Sequence, residues 1–306
     1  MRKESLKTVY NLAKKNKKIL FIGSDLGFNV LDDMKKNLPK QFHMEGVSEQ
    51  HIIGMSAGLA MDGFIPFVNT IATFLTRRCY EQIVIDLCLH NLPVRLLGNG
   101  AGGVYAPLGP THLAIEDLSL MRNIPNMAVF SPSGPVEVRN IIKFLENYQS
   151  PAYIRIGKGG ETDLYKNSDI FKVGKPIVLK KSNDFMIYSC GIMSHIALEV
   201  VNELKDNFNI GVMHFHTIKP LDEQYILRKS LKPKIIFTLE ENILSGGFGS
   251  RILELFNNHD PSLCAKIRRF GIEDSFESVY GNQNNLLEFW GISKNKVKSR
   301  ILEYLK

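Results

Sequence analysis

Cysteine is scarce: the 306-residue chain has four, Cys79, Cys88, Cys190 and Cys264. No two stand in a Cys-x-x-Cys arrangement, which excludes the common zinc and dithiol motifs and leaves them to be read as unpaired buried thiols of a reducing compartment. Long apolar runs are missing as well. None approaches the ~18 residues that a membrane helix needs, and the opening MRKESLKTVYNLAKKNKK is too polar for a secretory signal. These absences predict a cytoplasmic protein with no membrane partner. The formal net charge is +7, yet the basic residues are scattered or in short runs such as Lys14-Lys15-Asn16-Lys17-Lys18. With no Arg/Lys stripe interleaved with aromatics, no nucleic-acid partner is expected; a mildly basic protein handling phosphorylated substrates fits the balance. Internal repeats and low-complexity segments are also absent.

What is present is a large apolar fraction, 44% of the residues, enough for a sizeable core and two domains. Short apolar runs alternate with helical patterns. Lys18–Gly23 (KILFIG) reads as a buried strand ended by Gly. Glu49–Met61 reads as a helix, Ile65–Ile71 as a strand, Tyr80–His90 as a helix by its i, i+3, i+4 spacing, and Pro93–Leu97 as a strand. His112–Asn123 reads as a helix, Met127–Phe130 as a strand, Pro135–Tyr148 as a helix with Pro at its first position, and Ala152–Ile156 as a strand. Strands of this kind between helices imply a parallel sheet covered on both faces. The stretch GKGGETDLYKNSDIFKVGKP then breaks the pattern, and the alternation restarts with a strand at Phe185–Ser189. A helix at Ile196–Asp206, a strand at Ile210–Phe215, a helix near Asp222–Ser230, a strand at Lys234–Leu239 and a helix at Phe248–Asn257 follow. A strand near Ala265–Phe270 and a helix at Lys296–Leu305 complete the chain. The expected fold class is therefore α/β, with two domains, each a mostly parallel sheet flanked by helices. The predicted domains are 1–165 and 175–306, joined near residue 170.

Glycine-rich stretches carry less than they first suggest. Gly98-Asn99-Gly100-Ala101-Gly102-Gly103 follows a strand like a dinucleotide fingerprint. However, Pro107 and Pro110 make the next segment a loop, and the acidic residue expected about 20 positions on is missing. The stretch reads better as a loop at the carboxyl end of a strand, where parallel sheets place ligands. Gly246-Gly247-Phe248-Gly249 opens a helix, either for close packing on a strand or to hold an anion.

Glu49 raises a question of chemistry. In GVSEQHIIGMSAGLA it stands where a helix is about to be buried. Read by itself it is a first-turn carboxylate favoured by the helix dipole, with Ser48 as a cap. Three blocks together change that reading: GVSEQHIIGMSAGLAMDG, TIATFLTRRCYEQIVIDL and GPTHLAIEDLSLMRNIPNMAVFSPSGPVE. With HTIKPLD and TLEENILSGGFGS farther on, they resemble, in order and over nearly the whole chain, the transketolase superfamily of thiamine diphosphate enzymes. The flavour is that of transketolase and 1-deoxyxylulose-5-phosphate synthase. The resemblance implies an N-terminal pyrimidine-binding domain and a C-terminal transketolase domain. It also implies that Glu49 is the carboxylate that meets the cofactor's aminopyrimidine as an acid–base partner, in a buried setting that strengthens the contact. Phe74 matches an aromatic that lines the pyrimidine pocket, and ordinary core packing is the alternative for it and for Tyr80. Arg77 and Tyr80 are the further cofactor-side positions, Arg77 matching an Arg of the deoxyxylulose enzymes. His112, in GPTH, matches a histidine that faces substrate and relays protons. Lys158 stands where relatives carry an Arg that grips substrate phosphate, with a solvated linker lysine as the alternative.

Two departures follow from the same comparison. No Gly-Asp-Gly followed by Asn-Asn at the family's spacing is present, so the diphosphate and Mg²⁺ half of the cofactor site is lacking. Leu108 replaces the Asp that precedes GPTH, and Gly100 stands where relatives have His or Arg, so the substrate-facing loop differs. The expectation is the C-terminal half of a split enzyme transferring a two-carbon ketol, or a related acyl-anion equivalent, from a sugar or sugar phosphate to an aldehyde. A partner subunit would carry the diphosphate and Mg²⁺ site, in an α2β2 heterotetramer. The alternatives are the β subunit of a 2-oxo-acid dehydrogenase decarboxylating component, against which GPTH and the Glu-Gln-His beginning at Glu49 count, and a non-catalytic regulatory subunit.

Overall fold

The computed structural model describes residues 1–24, 31–157, 159–165, 170–276 and 280–305. Lys158, expected to face substrate phosphate, lies outside the described residues. Strands β1 (Ile19–Gly23), β2 (Phe42–Met44), β3 (Ile65–Ile71), β4 (Arg95–Asn99), β5 (Ala128–Phe130) and β6 (Ala152–Ile156) belong to one sheet. Strands β7 (Ile177–Lys180), β8 (Phe185–Cys190), β9 (Ile210–Phe215), β11 (Ile235–Ile243) and β12 (Ile267–Ile272) form a second. Strand β10 (Thr217–Lys219) comes from the later half of the chain but joins the first sheet. The first sheet has the order β10-β5-β6-β4-β3-β1-β2, parallel except where β10 meets β5. The second has the order β12-β11-β8-β9-β7, parallel except where β7 meets β9. The α/β architecture of two mostly parallel, helix-flanked sheets is thus as expected.

Burial explains the strand sequences. β1, β4 and β6 are buried along their whole length, as central parallel strands covered on both faces must be. The helix Glu49–Met61 sets Ile52, Ile53, Ala57 and Ala60 into a core with Ile22 and Val68. That core runs on without interruption through Leu118, Met121 and Tyr153 to Met186, Phe215, Ile218 and Phe248 of the later half. The two sheets are consequently joined by apolar packing as well as by β10.

Some elements differ from expectation. The helix expected from His112 begins at Asp117. Pro110–His112 is a single 3₁₀ turn, and Ala114 exchanges backbone hydrogen bonds with Gly102, at 2.9 and 3.2 Å, which uses the groups a helix would need. Within Tyr80–His90 the turns widen to π-helix over Ile83–Leu89. The helices Arg2–Ala13, Asp32–Asn37 and Gln283–Phe289 and the strands β2, β7 and β10 were not expected. Gly246 and Gly247 do precede a helix, Phe248–His259, whose first N–H groups already bind an anion from the chain. The Glu240 carboxylate accepts from Phe248 N at 2.6 Å and Gly249 N at 2.7 Å. Cys79, Cys88 and Cys190 are buried free thiols, as read from the sequence, whereas Cys264 is half-buried. Among the described residues, no helix is long and apolar enough to cross a membrane.

Candidate functional site

Glu49 is the first residue of its helix and is 2% exposed. Gly46, with φ +70, turns the chain just before it, a conformation that glycine adopts without steric cost. The expected Ser48 cap does not form: the Ser48 hydroxyl donates back to Glu45 O at 2.9 Å, and no side chain caps the helix. The Glu49 carboxylate accepts from Arg78 Nη1 at 2.5 Å and weakly from the Thr70 hydroxyl of β3 at 3.4 Å. Thr70 in turn shares a hydrogen bond of 2.8 Å with Ser24. A buried carboxylate therefore sits at the carboxyl end of central parallel strands, where such sheets place ligands.

Immediately after β3 the chain makes a π-helical turn, Phe74–Arg78. Such widened turns recur at functional sites because they re-aim successive side chains. This one places the half-buried Phe74 ring 4.5 Å beneath the Arg78 guanidinium. The His112 ring meets Phe74 edge-on, with centroids 5.1 Å apart at 67°. His112 Nδ1 shares a hydrogen bond of 2.9 Å with the Thr111 hydroxyl. Tyr105 lies edge-on to His112 at 6.5 Å. Gly100 completes the series: with φ +72, a Cβ there would fall 1.9 Å from the Tyr105 ring. The aromatic ring occupies the space a side chain at position 100 would take.

The structure thus joins Glu49, Phe74, His112 and Gly100 through Arg78 and Tyr105. Arg77 lies beside them but is engaged elsewhere, forming an ion pair with Glu116 and donating to Leu113 O at 2.8 Å. Tyr80 packs half-buried against the main core. Leu108 is 54% exposed on its own 3₁₀ turn. Arg78, Thr70 and Tyr105 were not singled out from the sequence. The sequence pointed to Arg77, whereas its neighbour Arg78 is the guanidinium that reaches Glu49, and Tyr105 is the aromatic of the GNGAGGVYAP loop. Thr73, next to Phe74, holds a buried hydroxyl with no partner among the described residues.

A cavity of about 580 Å³ lies elsewhere, between the two halves, lined in part by Arg155, His195, Glu241 and Gln283. Beside it a buried network fixes the loop that carries His112. Asp117 accepts from the Tyr153 hydroxyl at 2.7 Å and from Arg155 Nε at 2.9 Å, and Arg155 Nη2 donates to Ala114 O at 3.2 Å and Glu241 O at 2.7 Å.

Residues 1–160 match the transketolase pyrimidine-binding domain family and residues 174–297 the transketolase C-terminal domain family. The chain belongs to the transketolase family. Over its full length this transketolase-family chain is 31% identical to the B subunit of apulose-4-phosphate transketolase from Phocaeicola vulgatus, of which it covers 97%. It is 33% identical over 304 residues to 1-deoxy-D-xylulose-5-phosphate synthase of Caldanaerobacter subterraneus subsp. tengcongensis, covering 98% of this chain and 48% of that one. The transketolase-family chain therefore spans about half the length of such synthases and nearly all of the separate subunit. Among solved structures it is similar to a split gene transketolase described as an inactive β4 tetramer, with a TM-score of 0.89, 31% identity, and coverage of 99% of this chain and 97% of that one.

Proposed function

We propose that this chain is the pyrimidine-holding subunit of a split, thiamine diphosphate-dependent transketolase, active only with a partner that supplies the diphosphate and Mg²⁺ half of the site. The observation that carries the reading is the buried Glu49 carboxylate set beside the Phe74 ring, the two linked by one guanidinium. These residues suit an aminopyrimidine: a carboxylate shielded from water for a ring nitrogen, and a flat face for stacking. Among the described residues no group of three or more His, Cys, Asp or Glu is placed to hold a metal ion, and in this reading the Mg²⁺ donors belong to the partner. The near-complete match to a separately encoded transketolase subunit, against half of each full-length synthase, supports the division of labour.

When bound, thiamine diphosphate supplies a stabilised carbanion at its thiazolium ring. Glu49 would hold and exchange a proton at the pyrimidine ring nitrogen. Phe74 would set the ring's plane. His112, its Nδ1 engaged by Thr111, would use Nε2 to carry protons to and from the substrate. Arg77, through Glu116 and Leu113, would hold the His112 loop as well as line the cofactor's side. Tyr80 would support the turn from behind. Lys158, Leu108 and Gly100 would face the substrate, a sugar or sugar phosphate, with Leu108 offering an apolar contact where an acceptor is otherwise expected. The transfer would deliver a two-carbon ketol, or an acyl-anion equivalent, to an aldehyde within an α2β2 heterotetramer in the cytoplasm.

The test is reconstitution. The chain alone should show no thiamine-dependent turnover, and adding the partner should produce it. In the pair, Glu49→Ala should lower turnover at least about a hundredfold, the low end for a positioned acid–base group. Full activity of the chain alone, or wild-type rates for Glu49→Ala, would overturn the reading. Assaying the pair with pyruvate and with a ketose separates ketol transfer from the β subunit of a 2-oxo-acid dehydrogenase. Turnover with neither would leave a non-catalytic regulatory subunit.

A further inference from the structure

The contacts of Arg78 have a meaning of their own. Its Nη1 donates to Glu49 Oε2 at 2.5 Å, and its guanidinium carbon lies 4.5 Å from the Phe74 ring centroid. A planar group bearing N–H donors, stacked on an aromatic ring and hydrogen-bonded to a buried carboxylate, reproduces what an aminopyrimidine offers the same two residues. We propose that in the chain alone the Arg78 side chain takes the place of the cofactor's pyrimidine ring, and so sets how readily this subunit accepts it. The inference rests on the function proposed above and assigns Arg78 as a residue that controls cofactor affinity.

Three observations favour a displaceable occupant over a fixed structural pair. The Arg78 side chain is 42% exposed while that of Glu49 is 2% exposed, so the guanidinium can leave toward water without opening the core. Among the described residues it makes no other hydrogen bond to anchor it. Its neighbour Arg77 is the contrary case, tied to Glu116 and Leu113 O. Because Glu49 is buried, the guanidinium leaves at low cost only when a ligand gives the carboxylate a new partner, which makes the departure an exchange. If the open arrangement is populated at ~1–10%, apparent affinity falls by the same factor, so removing the side chain should tighten binding about ten- to a hundredfold.

The probe is thiamine, which carries the aminopyrimidine without the diphosphate, titrated into the full-length chain by NMR or calorimetry. Arg78→Ala should bind it at least about tenfold more tightly than wild type. Arg78→Lys, which keeps the charge but loses the planar stack, should fall between. Adding Glu49→Gln to Arg78→Ala should abolish the gain. Equal or weaker binding by Arg78→Ala, or a gain that survives Glu49→Gln, overturns the inference. The ¹⁵N signal of the Arg78 side chain in the wild-type chain gives a second readout that needs no variant to fold. It should shift toward that of a free guanidinium as thiamine saturates, and an unmoved signal also overturns the inference. The two readings fail separately. If Glu49→Gln weakens thiamine diphosphate binding in the reconstituted pair while Arg78→Ala tightens nothing, only the Arg78 assignment falls. If Glu49→Gln changes thiamine diphosphate affinity nowhere, both fall.

Discussion

Removing the Asp117 carboxylate tests how much stability rests on the buried network at the seam between the sheets. Asp117 is fully buried and accepts from both Tyr153 and Arg155, itself 7% exposed. Burial alone would favour an uncharged Arg155, and Asp117 and Glu241 more than offset it, so the guanidinium stays protonated. Asp117→Ala would strand that charge and the Tyr153 hydroxyl. Breaking a buried pair from one side costs about 3–5 kcal/mol. For 306 residues, at about 2.1 cal/mol/K per residue, the unfolding entropy is about 0.6 kcal/mol/K, which converts the loss to a fall in Tm of about 5–8 °C. Urea unfolding followed by circular dichroism, together with scanning calorimetry, measures both quantities. Exchanging the pair for Asp117→Leu with Arg155→Met should recover at least about half of the loss, because apolar groups of similar volume leave no isolated charge. Part remains, since the carbonyls of Ala114 and Glu241 lose the donor Arg155 gives them. A loss below about 1 kcal/mol for Asp117→Ala would refute the reasoning, as would a double variant as unstable as the sum of the singles.

Gly100→Ala should destabilise by about 1–3 kcal/mol and raise the KM of the reconstituted pair, because the left-handed backbone strains any side chain and the new methyl would displace the Tyr105 ring. An unchanged Tm would remove Tyr105 from the loop's architecture. His216 gives a pH dependence: burial lowers its pKa from 6.5 to about 4. As pH falls from 6.5 toward 4, the unfolded chain takes up a proton that the folded chain refuses, so stability drops by up to about 3 kcal/mol across that window. His216→Leu should flatten the slope of unfolding free energy between pH 4 and 6.5, and an unaltered slope would assign the acid sensitivity to other groups.

Much of the fold was legible because local signals agreed with tertiary demand. Glu49–Met61, Ile65–Ile71 and Ala152–Ile156 have the predicted bounds. Each is a strongly patterned segment set off by turn-forming residues, Gly46 and Gly63 about the helix and Pro151 before the strand. The helix misplaced at His112 shows the opposite case, since Leu113–Glu116 has helical spacing but Ala114 spends its backbone on Gly102 and Ile115 O accepts from Ile243 N. Strand β10 carries too few residues to show a period, and its partner lies far away in sequence. At the site, the identity of Glu49 came from the surrounding motifs, whereas the role of Arg78 depends on the pitch of one π-helical turn. Adjacent arginines look alike in a sequence, and only the backbone decides which of them meets the carboxylate.

Strand β10 leaves the later half of the chain to pair with β5 at the border of the first sheet, and Lys219 at its end donates to Arg122 O and Ile124 O. A cut near residue 170 would take β10 away from the sheet it borders. The upstream fragment would leave β5, a strand of three residues, as the unpaired border of its sheet. The two halves therefore complete each other, sharing a sheet as well as a core, and separating them would cost both at once.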